Sequence, residues 1–123
     1  MKDETHEWVQ IADGDLRAAR GLIDLELPAQ VAFHCQQAIE KLLKALITEN
    51  SEAAPRIHDL VELADSIELE LAEEQQLLLA RLSYQAVASR YPGPALRYTE
   101  ESKVQELLEQ TERFFAWLQA KLT

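Results

Sequence analysis

Between Pro28 and Asn50, apolar residues return every three or four positions without a break. Val31, Cys35, Ala38, Leu42, Ala45 and Leu46 fall on one stripe, widened by Ile39 and Leu43. That is the period of an amphipathic helix, not of a strand. Pro28 suits its first turn, where a missing N–H costs little, and Asn50-Ser51 opens a short linker ending near Pro55. A helix of about six turns with so wide an apolar stripe needs other helices to cover it. The rest of the chain must supply them.

It does. A first helix is predicted from about Asp3 to Leu25, with Trp8, Ala12, Leu16, Ala19 and Ile23 inward and Leu27-Pro28 ending it. A shorter third helix is predicted to start at Ile57 or His58 and run to Ile67, burying Leu60, Leu63, Ala64 and Ile67. A fourth is predicted from about Ala72 to Ser89, with Leu78, Leu79, Leu82 and Ala86 inward and Glu73 and Glu74 in its first turn. Arg90-Tyr91-Pro92-Gly93-Pro94 then breaks the pattern, and Thr99 can cap a last helix carrying Val104, Leu107, Leu108, Thr111, Phe114, Phe115, Leu118 and Leu122. Three glycines and four prolines in 123 residues leave little room for other turns. The expected fold is all-α, an up-and-down antiparallel bundle of four long helices plus a short fifth, forming one domain over residues 1–123. Phe33, Ile47 and Trp117 lie off the stripes of their helices. Such surplus marks either an oligomer interface or a wide core face.

The formal net charge of −10 disfavours general binding to phosphate backbones. No DNA is expected as a ligand, and any nucleotide or RNA site must be a local basic patch. Cys35 is the only cysteine and falls in the apolar stripe, so it reads as core, in a reducing compartment. The opening Met1-Lys2-Asp3-Glu4 lacks the apolar run of a signal peptide, and no stretch approaches membrane-spanning length. The expected location is the cytoplasm.

Three places hold residues fit for chemistry. On the second helix Gln30, His34, Gln37, Lys41, Lys44 and Thr48 share a narrow polar sector, flanked by Gln36 and Glu40, and Glu40 can pair with Lys44 at i,i+4. The ridge suits a phosphate or an RNA backbone, or is simply a solvated face. His58-Asp59 opens the third helix, where Asp59 can serve the helix N-terminus and His58 reads as structural; adjacent helical residues diverge too far to act as a pair. Arg90 and Tyr91 stand at a helix end before a stiff turn. Arg90 can bind its own helix carbonyls, or grip a phosphate while Tyr91 stacks on a base; Arg97 and Tyr98 repeat the pairing. No phosphate-binding glycine loop or zinc motif is present, and His6, His34 and His58 lack metal-ligand spacing, so neither metal nor cofactor is expected.

The run from Ala32 to Ala45, AFHCQQAIEKLLKA, closely resembles the signature helix of the HEPN domain family. His58-Asp59-Leu60 with Leu63, and Arg90-Tyr91-Pro92, resemble that family's later landmarks in the same order. The resemblance implies an up-and-down helical bundle, commonly a homodimer. In many prokaryotic members it implies a small nucleotidyltransferase partner in a toxin–antitoxin-like pair, and nucleotide binding has been proposed for some. Many members are metal-independent ribonucleases with an Arg followed, after four to six residues, by a His. Here Arg90 would need that His at Ala95, Leu96 or Arg97, and none is present. The expectation is therefore a non-catalytic nucleotide-binding or interaction module contacting ligand through Lys41, Lys44, His58, Arg90 and Tyr91. A diverged ribonuclease and a purely structural dimerisation subunit are the alternatives.

Overall fold

The computed structural model describes residues 1–51, 53–88 and 101–123. Among them are five helices and no strand: α1 (Asp3–Ile23), α2 (Pro28–Asn50), α3 (Leu60–Ser66), α4 (Glu73–Ala88) and α5 (Glu101–Ala120). The all-helical expectation holds, and α2 has the predicted bounds. The predicted Thr99 cap and the Arg90-Tyr91 turn lie outside the described residues.

Helix α2 is the axis of the bundle and touches all four other helices. Fourteen of its 23 residues are buried, and Gln36, Glu40, Lys44 and Thr48 among them are polar. Ile39, Leu42 and Leu43 meet Leu60 and Leu63 of α3, Leu79 and Leu82 of α4 and Leu118 of α5 in one continuous core. Ile47 is part of that core, which settles its place off the main stripe. Trp117 is half-buried, stacked on Phe114 at 5.6 Å between ring centroids. Burial pushes the Cys35 thiol up to about 12, against a lowering hydrogen bond from Thr111, so it stays protonated and inert.

The helix ends follow from local chemistry. Helix α1 stops at Ile23, two residues before the predicted end, because Leu25 and Glu26 donate to the carbonyls of Leu22 and Ile23 in a tight turn with Glu26 at φ 57°. Helix α3 starts at Leu60, later than predicted, because Asp59 is extended and its carboxylate accepts from the Glu62 N–H at 3.0 Å. Its other end closes with Leu69 N–H donating to Ala64 O and Glu68 N–H to Asp65 O, the paired bonds of a left-handed cap, with Glu68 at φ 53°. No helix among the described residues is long and apolar enough to cross a membrane.

Candidate functional site

The polar sector of α2 is not a solvated face. Helix α1 packs along it, and the sector becomes a polar seam between the two helices. Lys44 and Thr48 are buried, His34, Gln37 and Lys41 are half-buried, and only Gln30 is exposed. Periodicity places these residues together correctly but says nothing of what lies opposite. Here α1 brings Trp8 and Asp15. His34 Nδ1 lies 2.9 Å from an Asp15 carboxylate oxygen, which ties that histidine to the helix pair. At the far end of the seam Thr5 donates to Glu49 at 3.2 Å.

The centre of the site is Glu40, whose side chain has essentially no exposed surface. An isolated carboxylate there would be strongly disfavoured, so its surroundings must supply donors. Three come from its own helix. Gln36 Nε2 donates at 3.0 Å from one turn before, Lys44 Nζ stands at 3.3 Å one turn after, and Lys41 Nζ stands at 3.2 Å. The i,i+4 spacing of Gln36, Glu40 and Lys44 puts all three on one line along the helix. The fourth donor comes from the segment before α3, where His58 Nδ1 lies 3.2 and 3.3 Å from the two Glu40 oxygens. Gln36 Nε2 also reaches the His58 carbonyl at 3.4 Å, which fixes the backbone that presents the ring.

These contacts decide the charge state. Burial alone would push the Glu40 carboxyl up, but hydrogen bonds from Gln36 and His58 and the neighbouring Lys41 ammonium outweigh it and hold the carboxyl below its usual range. An ionised carboxylate only accepts, so His58 Nδ1 is the donor and Nε2 is the ring nitrogen turned away from Glu40. The His58 side chain is 76% exposed, so that nitrogen belongs to the solvent side of the site.

Trp8 forms one wall. Lys41 and Lys44 place their ammonium groups 5.9 and 5.8 Å from its ring centroid, a distance at which the ring face attracts a cation. Lys44 is thereby enclosed between Glu40 and Trp8, whereas Lys41 keeps 21% of its side chain exposed. Two ammonium groups and one carboxylate leave an excess of positive charge here, on a chain of net charge −10.

Of the residues predicted for the site, Lys41, Lys44 and His58 come together around one carboxylate; Arg90 and Tyr91 lie outside the described residues. His58 and Asp59 do not act as a pair, since Asp59 caps α3 and His58 turns to α2. Glu40 was legible only as the i,i+4 partner of Lys44, and its role as the hub was not. Gln36 was legible only as a flank of the polar sector, although its four-residue spacing from Glu40 could have shown the bond between them; Trp8 was missed as a site residue, since no sequence signal separates a Trp under two lysines from a core Trp. Among the described residues no group of three or more His, Cys, Asp or Glu side chains is placed to share a metal ion.

The family model described as "HEPN domain" matches residues 5–121. Among solved structures the chain is similar to TT1696 from Thermus thermophilus, with 23% identity, a TM-score of 0.84, and coverage of 98% of this chain and 99% of that one. It is also similar to ST0689, an archaeal HEPN homologue, with 23% identity, a TM-score of 0.79 and full coverage of both chains. These likenesses establish the fold. No curated protein sequence matches the chain.

Proposed function

The chain belongs to the HEPN domain family, and from that premise we propose that it is a non-catalytic, homodimeric binding module that takes a nucleotide or another phosphate-bearing ligand at the Glu40 cluster. Its partner is a small nucleotidyltransferase, the two forming a cytoplasmic toxin–antitoxin-like pair. The observation that carries the ligand reading is the local excess of positive charge: the Lys41 and Lys44 ammonium groups share one carboxylate, with the His58 ring beside them, on an otherwise acidic chain. A phosphate approaching this point meets His58, which is exposed, and Lys41, which keeps part of its side chain open. Lys44 and Glu40 hold them in place from beneath. Arg90 and Tyr91 are assigned to the same ligand from the sequence, Arg90 for a phosphate and Tyr91 for a base.

The test is a titration of the full chain with ATP, AMP and inorganic phosphate, followed by amide chemical shifts and melting temperature. Shifts centred on Lys41 and His58, lost in Lys41→Ala and reduced in Arg90→Ala, are the expected result. A chain whose spectrum and melting are indifferent to all three ligands has no such site.

A second reading, a diverged metal-independent ribonuclease, has one observation in its favour. A buried carboxylate fixes Nδ1 of an exposed histidine and leaves Nε2 free, an arrangement suited to a general base. Cleavage of RNA in chelator by the wild-type chain but not by His58→Ala would select it. Intact RNA after prolonged incubation returns the site to binding alone.

A further inference from the structure

Helix α4 is apolar on two sides. Leu78, Leu79 and Leu82 enter the core. Leu77, Ala80, Tyr84 and Val87 recur at three- and four-residue spacing on the side turned away from it, and all four are exposed. Leu77, Tyr84 and Val87 keep 59%, 56% and 62% of their surface open, so this is not a core stripe that merely spills over. A helix with a second apolar face has a second partner. Beside the stripe, a groove of about 740 Å³ separates α4 from α5, with Trp117 and Arg113 on its α5 wall.

The charges at this face say what covers it. Glu74 lies one turn before Leu77 and Arg81 one turn after it, both on the groove side of α4. Among the described residues neither Glu74, Arg81 nor Arg113 takes part in an ion pair; Arg81 only donates to Gln110 at 3.1 Å. An acid and a base placed about equally on either side of an exposed leucine make a self-complementary pattern. A two-fold axis passing beside Leu77 brings Glu74 of each copy onto Arg81 of the other, twice, with the two Leu77 side chains between them. Elsewhere two copies of a chain with net charge −10 repel each other. At this face the arginines remove that obstacle.

We infer that the α4 face is the contact between two copies of this chain, packed antiparallel about an axis at Leu77 with reciprocal Glu74–Arg81 pairs across it. The inference rests on the homodimer reading above and names its surface. The α4–α5 groove widens the contact beyond a single helix, as a stable dimer needs, and seats the edge of the partner's α4. The Glu40 site is built separately, from α1, α2 and the segment before α3.

Sedimentation of the full chain tests it. Leu77→Asp is expected to give monomers with unchanged helix content, since Leu77 is exposed. Glu74→Arg and Arg81→Glu each place like charges across the axis and are expected to weaken the dimer about tenfold or more; the double variant regains wild-type affinity. Leu77→Cys is expected to oxidise to a covalent dimer, whereas Val61→Cys, exposed on α3, is not. A wild-type chain that is monomeric at roughly 0.1 mM overturns both the homodimer reading and this surface. A dimer that survives Leu77→Asp, ignores both charge reversals and fails to cross-link through Leu77→Cys overturns the surface alone.

Discussion

His58 reaches back across 18 residues to place Nδ1 at 3.2 Å from Glu40, so that a largely exposed ring is anchored on a carboxylate with essentially no exposed surface. The contact joins the segment before α3 to the middle of α2. It makes the fold and the candidate site depend on the same side chain, but unequally. Glu40 carries the internal balance of charge, and His58 carries the face presented to solvent.

That inequality predicts separable variants. Neutralising Glu40 leaves Lys44 buried without a counter-charge. Glu40→Gln is therefore expected to cost about 3 kcal/mol in urea unfolding. Replacing both members of the buried pair, Glu40→Met with Lys44→Met, is expected to recover more than half of that loss, because no uncompensated charge remains. A double variant as unstable as the single one would show that packing, not charge, sets the cost.

His58→Ala behaves differently. Its ring is 76% exposed, so its link to Glu40 is screened by water and adds little to stability. The unfolding midpoint is expected to stay close to wild type while phosphate-dependent chemical shifts at Lys41 fall away. A large loss of stability would place His58 in the fold rather than in the ligand site.

Much of this was legible before any coordinates. The bounds of α2 were readable because Pro28 and Asn50-Ser51 are unambiguous stops. The gathering of Lys41 and Lys44 was readable because helical spacing alone puts them in one sector. What spacing cannot supply is the occupant of the space opposite. The polar sector looked solvent-facing because its residues are polar. It is instead covered by α1, whose Trp8 and Asp15 give the lysines and His34 partners. Likewise Asp59 was readable as a cap, but the cap itself excludes His58 from the helix and frees it to turn toward Glu40.

The carboxyl of Glu40 also sets a pH dependence. Its folded pKa is held below the unfolded value, so the unfolded chain binds a proton first as pH falls. The stabilisation is fully present above the ordinary Glu range, near pH 4.3, and is lost as pH drops through the lower folded value. Melting temperature measured from pH 7 down to pH 3 is expected to fall more steeply for wild type than for Glu40→Gln. Parallel curves would mean that the acid response comes from the chain's other carboxylates.

Thr48 offers a test in the opposite direction. It is fully buried in α2, and among the described residues its hydroxyl has no hydrogen-bond partner. A buried hydroxyl without a partner has given up water for nothing and destabilises the fold. Valine has nearly the same shape and no such group. Thr48→Val is expected to raise stability by about 1 kcal/mol, read as a higher urea midpoint with an unchanged slope.

Glu68 closes the cap of α3 at φ 53°, a conformation that costs a side-chain-bearing residue roughly 1 kcal/mol. The cap needs this geometry, because the Glu68 and Leu69 N–H groups reach the Asp65 and Ala64 carbonyls only when the chain reverses there. Glycine adopts that conformation without strain. Glu68→Gly is therefore expected to stabilise the chain by about 0.5–1 kcal/mol despite the greater freedom it gives the unfolded state. Glu68→Ala keeps the strain and removes only the carboxylate, and is expected to leave the melting temperature nearly unchanged. If alanine stabilises as much as glycine does, the gain comes from relieving acidic repulsion near Glu70 and Asp65 rather than from the backbone.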